Sequence, residues 1–130
     1  MRKLRCLLTK SRMDAHDRGI MTVTAAFRDA GMEVVLTRFA DVREIATTAL
    51  QEGVDLIGVS SLAGSHVWIA EELTKALKEK GIGEILIIFG GVIPRDDVST
   101  LYDLGVYEVF GAGTPLQNII DKIYSAFNLH

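Results

Sequence analysis

Five short apolar segments, each followed by a polar or glycine-containing turn and an amphipathic stretch, constrain the fold of this chain most strongly. The segments span residues 4–9, 33–37, 55–60, 84–89 and 107–110, and each has the length of a β-strand. Apolar residues at helical spacing follow every segment, as Ile20, Val23, Phe27 and Ala30 follow the first. Strands that alternate with helices through short connections predict a parallel sheet built with right-handed crossovers.

Residues that begin or end helices mark the boundaries between these units. Asp41 is a suitable N-cap for the second helix, and Pro115 suits the first turn of the last one. Gly31, Gly53 and Gly105 follow the ends of helical patterns, where glycine accepts the left-handed backbone. We therefore predict an α/β fold, a flavodoxin-like doubly wound five-stranded parallel sheet of order 2-1-3-4-5 with helices on both faces.

Composition limits the domain count and the classes of partner. With 130 residues, of which 48% are hydrophobic, the chain is long enough for one domain, spanning 1–130, and too short for two. A net charge of −3 offers no electrostatic footprint for nucleic acid. Cys6 stands alone in a predicted buried strand, and no apolar run approaches the length of a membrane span. We expect a cytoplasmic protein that binds neither nucleic acid nor membrane.

Ligands of such open sheets bind beyond the carboxyl ends of the strands, near the switch point between the first and third strands. Glycines recur at this edge in three separate loops, at Gly64, at the pair Gly90 and Gly91, and at Gly111 with Gly113. A single glycine at a strand end is most often a turn residue. Together the three loops indicate a long ligand that lies along the strand ends.

The loop after the first strand carries Asp14, His16 and Gly19 at the spacing Asp-x-His-x-x-Gly. An imidazole there can bind a metal while the carboxylate two residues earlier orients it, and Lys10 can set the charge on Asp14. With only three histidines in the chain, a zinc site is poorly supplied. A metal held in a macrocycle needs one axial imidazole, so the spacing fits such a ligand, although an ordinary surface histidine remains the alternative.

Three motifs in order resemble the signature of cobalamin-binding domains of the base-off, His-on type. They are Asp14-x-His16-x-x-Gly19, then Ser60-x-Leu62, then Gly90-Gly91. The segments His-Asp-Arg-Gly at 16–19, Val-Ser-Ser-Leu at 59–62, Gly-Gly-Val-Ile-Pro at 90–94 and Phe-Gly-x-Gly-Thr at 110–114 resemble the methylmalonyl-CoA mutase branch most closely. The resemblance covers nearly the whole chain.

This resemblance implies a role for each motif residue. His16 would be the lower axial ligand of the cobalt of cobalamin, with Asp14 and then Lys10 behind it. Ser60 would hydrogen-bond the displaced nucleotide tail, and Leu62 would help to line its slot. The other implied cofactor-binding residues are Asp17, Arg18 and Gly19 beside the ligand, Gly90 and Gly91, which leave room for the tail, and Gly111, Gly113 and Thr114 near its far end.

The same resemblance implies an activity and a partner. The chain would be the adenosylcobalamin-binding subunit of an acyl-CoA mutase, inactive alone, whose large TIM-barrel subunit carries the acyl-CoA site and a radical carbon-skeleton isomerisation. Met13, Leu62, Val92 and Ile93 are the apolar residues that we expect near that interface. The chain departs from the family at Ser11 and Ala15, where glycine is usual, and at Met21, where lysine is common.

Three other functions stay open at this stage. A corrinoid protein for methyl transfer shares the histidine motif, but such proteins usually have an N-terminal helical cap, and a small subunit of the glutamate mutase type would act on an amino acid. A receiver-like regulatory module needs acidic residues where this chain has Lys10, Ser11 and Ser60. Outside the motifs, we expect His66 at the surface or facing a loop, and Trp68 in packing or partner contacts.

Overall fold

The structure is a computed structural model that describes residues 3–15, 17–61, 65–111 and 113–129. Five parallel strands lie in the order β2-β1-β3-β4-β5, as the sequence predicts. The strands are β1 Arg5–Ser11, β2 Glu33–Phe39, β3 Leu56–Ser61, β4 Leu86–Gly91 and β5 Glu108–Gly111. The helices are α1 Arg18–Asp29, α2 Val42–Glu52, α3 His66–Glu79, α4 Arg95–Asp103 and α5 Leu116–Ala126.

The sheet separates two apolar cores because successive side chains of a strand point to opposite faces. On one face, Leu7, Ile57 and Phe89 pack with residues of α2, α3 and α4. On the other face, Leu8 and Ile88 pack with residues of α1 and α5. Helices therefore cover both faces of the sheet. No helix in the described part of the chain is long and apolar enough to cross a bilayer.

Helix boundaries follow the predicted caps with one shift. The Asp41 side chain accepts a hydrogen bond from the Arg43 backbone N–H at 2.9 Å, and Gly53 ends α2 in the left-handed conformation at φ 60°. Pro115 lies one residue before α5, in the N-cap position, rather than within its first turn. This placement still uses the proline where an N–H is not needed.

The strands extend further toward their carboxyl ends than the apolar runs predict. Lys10, Ser61, Gly90 and Gly111, which the sequence places in loops, are paired strand residues. The ladder continues because backbone pairing does not depend on apolar side chains. One consequence is a set of register partners that crosses all five strands, here called the edge row: Arg38, Lys10, Ser60, Gly90 and Phe110.

Candidate functional site

A cavity of about 650 Å³ lies between the carboxyl half of the sheet and helices α1 and α5. Its volume falls within the range of roughly 300–1,000 Å³ that is usual for small-molecule sites. The walls are largely apolar, with Leu8 and Ile88 from the sheet, Ile20 and Phe27 from α1, and Ile119 from α5. Because parallel strands present their carboxyl ends together, residues that follow β1, β4 and β5 also line this region, among them Asp17, Val92 and Gly113.

Glycines make room along the sheet side of the cavity, for two different reasons. A Cβ at Gly90 would meet nothing closer than the Phe110 carbonyl oxygen at 3.8 Å, so this glycine leaves open space. Gly91 has φ 116°, and a Cβ there would lie 2.3 Å from the Ser61 carbonyl oxygen. The backbone therefore requires glycine at position 91, whereas neither the backbone nor a neighbouring atom requires it at position 90.

Nine of the eleven predicted site residues that the structure describes line this cavity. Lys10 and Asp14 are the other two, and they lie beside the cavity rather than in its wall. His16 and Leu62, like Gly64, lie outside the described residues. The nine are Asp17, Arg18, Gly19, Ser60, Gly90, Gly91, Gly111, Gly113 and Thr114. The structure thus brings together motif residues that are up to 97 positions apart, from 17 to 114.

Charged side chains meet at the start of α1. Lys10 is fully buried, and its Nζ lies 2.7 Å from Asp17 Oδ1 but 3.9 Å from Asp14 Oδ1. Arg38 Nη2 contacts the same Asp17 oxygen at 2.9 Å. Hydrogen bonds from Lys10 first, and then from Arg38, hold the pKa of the Asp17 carboxyl below its usual value. Asp17 occupies the N-cap position of α1, but its side chain makes no capping hydrogen bond.

The turn that leads from β1 toward residue 16 is tied to Ser11, one of the departures from the family. The Asp14 backbone N–H donates to the Ser11 carbonyl at 3.1 Å, and the Met13 N–H donates to the Ser11 hydroxyl at 3.1 Å. Ala15 keeps an ordinary backbone, since Asn128 is the one described non-glycine residue with positive φ. Met21 is partly exposed on α1 and does not line the cavity. Ser11 and Ala15 therefore occupy this turn without a positive φ.

The prediction that His66 lies at the surface is wrong, whereas the alternative that it faces a loop agrees with the position of the Val92 backbone near its ring. Its side chain is buried at the start of α3, and neither ring nitrogen has a hydrogen-bond partner among the described residues. Burial lowers the pKa of His66, and the Asp97 carboxylate and the Val92 backbone oppose this shift. A single histidine before an apolar helix gives no sequence signal of burial. Trp68, two residues on, is 56% exposed, which leaves it available for partner contacts.

The apolar residues expected at a partner interface divide by exposure. Met13 is 93% exposed and Val92 is 60% exposed, as predicted for the open edge of the sheet. Ile93 is half-buried and packs against the core on the α2–α4 face. Leu62 belongs to the undescribed positions. Two exposed apolar side chains therefore follow the carboxyl ends of β1 and β4.

Sequence analysis missed three contributors to the site. Gly58 lies inside β3 and lines the cavity, and a Cβ there would come 2.5 Å from Leu8 Cδ2. A glycine inside a strand pattern is the signal that could have identified it. Phe110 closes the edge row at β5 and also lines the cavity. Arg38 joins the site through the register of β1 with β2, which no local motif reveals.

The sequence of this chain is similar to those of known proteins over most of its length. The family model described as B12 binding domain matches residues 4–120. The chain is 43% identical over 123 residues to the 2-hydroxyisobutanoyl-CoA mutase small subunit of Aquincola tertiaricarbonis, covering 94% of this chain and 90% of that one. It is 40% identical to the pivalyl-CoA mutase small subunit of Xanthobacter autotrophicus, covering 94% and 82%. The methylmalonyl-CoA mutase of Cereibacter sphaeroides is 44% identical, but the chain spans only 18% of its length.

Solved structures support the fold. A cobalamin-binding protein from Desulfitobacterium hafniense superposes with a TM-score of 0.78 at 18% identity, covering 95% of this chain and 58% of that one. The chemotaxis protein CheY4 of Vibrio cholerae superposes with a TM-score of 0.71 at 12% identity, covering 95% and 98%. Both likenesses establish the flavodoxin-like architecture alone, so the family rests on the sequence matches. The chain belongs to the B12-binding domain family, whose cofactor is cobalamin.

Proposed function

We propose that this chain is the cobalamin-binding subunit of an adenosylcobalamin-dependent acyl-CoA mutase and holds the cofactor base-off, with its nucleotide tail between the sheet and helices α1 and α5. The observation that carries this proposal is the 650 Å³ cavity, which nine predicted site residues line. Its volume and apolar walls suit a nucleotide-sized group. The open space at Gly90 is a second point of fit, because any side chain there would project toward the tail.

Two hydroxyl groups in the cavity wall have a place in this proposal. Ser60, half-buried on β3, supplies a hydroxyl in a mainly apolar wall, which suits one oriented hydrogen bond to the tail. The Thr114 hydroxyl donates to the Gly111 carbonyl at 2.7 Å, so its oxygen keeps lone pairs for a ligand. These residues would orient the tail, and the apolar wall would exclude water from it.

His16 is the proposed lower axial ligand. The turn that Ser11 holds leads directly to this residue, and Asp14, two positions before it, has a side chain that is only 6% exposed. A shielded carboxylate at this position would accept a hydrogen bond from the N–H of the ring nitrogen that does not bind cobalt, and this would fix the tautomer. When bound, adenosylcobalamin supplies a cobalt–carbon bond whose homolysis starts radical rearrangements, while the protein binds and orients.

A separate large subunit completes the proposal. Two similar proteins are small subunits of mutases whose names specify acyl-CoA substrates, and this favours an acyl-CoA mutase over an amino-acid mutase or a methyl carrier. The chain would be inactive alone, and a TIM-barrel subunit would carry the acyl-CoA site. The exposed side chains of Met13 and Val92 would be covered in that assembly, because exposed apolar surface is costly in water.

Electron paramagnetic resonance tests the axial ligand. The purified chain is loaded with cob(II)alamin, and the spectra of protein containing natural and ¹⁵N-labelled histidine are compared. We expect nitrogen hyperfine coupling that changes with the label, persists in His130→Ala and disappears in His16→Ala. Coupling that still changes with the histidine label in His16→Ala, or the absence of such label-sensitive coupling from the unmodified protein, would overturn the proposal.

A further inference from the structure

The ammonium of Lys10 lies near two carboxylates that have different surroundings. Its Nζ is 2.7 Å from Asp17 Oδ1 and 3.9 Å from Asp14 Oδ1, so the close charge-assisted bond goes to Asp17. A fully buried ammonium requires such partners, because taking a charge out of water is costly unless it is paired. The position of Lys10 therefore depends on how strongly each carboxylate attracts it.

Arg38 bears on that balance from the neighbouring strand. It is the register partner of Lys10, so the two cations lie side by side on the same face of the sheet. Its Nη2 lies 2.9 Å from the same Asp17 oxygen that Lys10 contacts, which lets Asp17 relieve the repulsion between them. Lys10 and Arg38 both donate to Asp17 Oδ1, so each cation weakens the attraction of this oxygen for the other cation.

We infer that Arg38 and Asp17 are positioning residues that set where the Lys10 ammonium lies and thereby tune the Asp14 carboxylate behind the cobalt ligand. This inference rests on the proposed role of His16. Asp17 attracts the Lys10 ammonium and keeps it 3.9 Å from Asp14 Oδ1, and Arg38 weakens this attraction because it contacts the same Asp17 oxygen. When Lys10 is distant, Asp14 keeps more negative charge, accepts a stronger hydrogen bond from the imidazole and makes it a better ligand.

The two residues should therefore act in opposite directions. Asp17→Asn removes the 2.7 Å partner of Lys10, which then closes on Asp14 and weakens the axial bond. Arg38→Gln leaves the Asp17 carboxylate wholly to Lys10, so Asp17 should hold the ammonium further from Asp14 and the axial bond should become stronger. A purely structural role would predict weakening in both variants, since each loses an ion pair.

Two measurements on the full chain test the inference. In cofactor-free protein, NMR of ¹⁵Nζ-labelled lysine reports the Lys10 ammonium, and its signal should move in Asp17→Asn and Arg38→Gln. In protein loaded with cob(II)alamin, the nitrogen hyperfine coupling should decrease in Asp17→Asn and increase in Arg38→Gln. For Asp17→Asn we expect cob(II)alamin to bind about tenfold more weakly, which is the lower end of the range for residues that hydrogen-bond a metal ligand.

Matched variants separate charge from general damage. Arg38→Lys keeps the positive charge, so its Lys10 NMR signal and its nitrogen hyperfine coupling should lie near those of the unmodified chain. Arg43→Gln removes a surface arginine that pairs with Asp41 at 3.0 Å, away from the cavity, and should change neither signal. The inference would be overturned if the nitrogen hyperfine coupling changed in the same direction in Asp17→Asn and Arg38→Gln, or if it changed in neither variant. Loss of coupling from the unmodified chain would instead overturn the axial role of His16.

Discussion

Gly90→Val tests the cavity separately from the fold. The Gly90 backbone lies outside the positive-φ region, and a Cβ there meets nothing closer than 3.8 Å. Valine can therefore adopt this strand conformation without strain, and it also has a favourable strand propensity. Its side chain shares the face of the edge row, so it would extend into the space between β4 and helices α1 and α5.

The expected effects on stability and on binding have opposite signs. Valine adds three carbons to an apolar wall, and at about 0.8 kcal/mol per buried carbon the free energy of unfolding should stay level or rise by up to about 2 kcal/mol. A nucleotide tail would then share its slot with the isopropyl group. Overpacking of this kind costs about 1–3 kcal/mol, which corresponds to a roughly 5- to 150-fold higher Kd for cobalamin.

Absorbance titrations with cobalamin and with cobinamide, which lacks the nucleotide tail, provide the assay. Gly90→Val should weaken the binding of cobalamin and leave that of cobinamide unchanged. Gly83→Ala is the control, since Gly83 does not line the cavity and its Cβ would contact Lys78 alone, at 3.1 Å from Cγ and 3.7 Å from Cα. Equal losses for both corrinoids, or unchanged cobalamin affinity in a folded variant, would refute the placement of the tail.

Three further substitutions test local features. Gly91→Ala forces a Cβ onto the Ser61 carbonyl and should lower the free energy of unfolding in urea by about 1–3 kcal/mol, whereas Gly111→Ala, with open space at its Cβ, should stay within about 0.5 kcal/mol. Burial lowers the pKa of His66, so the unfolded state binds a proton at this residue more readily than the folded state does. The free energy of unfolding should therefore fall as the pH drops below about 6.5, and it should depend less on pH in His66→Gln. Tyr124→Phe removes a 2.8 Å hydrogen bond to the carbonyl that follows α1 and should cost about 0.5–1.5 kcal/mol in the same urea assay, so an unchanged midpoint would contradict that role.

The fold was predictable because its determinants are local. Apolar runs, helix stripes and caps such as Asp41 depend on residues within a few positions of one another, and the structure confirms the strand order that they imply. Strand ends were less predictable, because Lys10 and Gly90 pair in the sheet without the apolar character that marks a strand. Gly90 borders the cavity and Lys10 belongs to the charged cluster beside it, so neither position needs the apolar side chain of a core residue.

The candidate site was predictable where glycines and motif residues marked it, and not where tertiary register created it. Gly90 follows an apolar run and belongs to the recurring glycines, whereas Ser60 ends an apolar run and was assigned through the family resemblance; both line the cavity. Arg38 reaches the site only because β2 pairs with β1, 28 residues away in sequence. His66 was expected at the surface or facing a loop and is buried, because the burial of a polar side chain depends on tertiary packing that no local pattern reveals.

One segment joins the two halves of the proposed cofactor site. Residues 17–19 begin α1 and line the cavity, and they directly follow the proposed axial ligand at position 16. Filling the cavity would fix the start of α1, and because the chain is continuous this would also restrict the position of His16. Asp17 takes part in both halves, since it lines the cavity and pairs with the buried Lys10. Tail insertion and cobalt ligation should therefore be thermodynamically coupled rather than independent contributions to affinity.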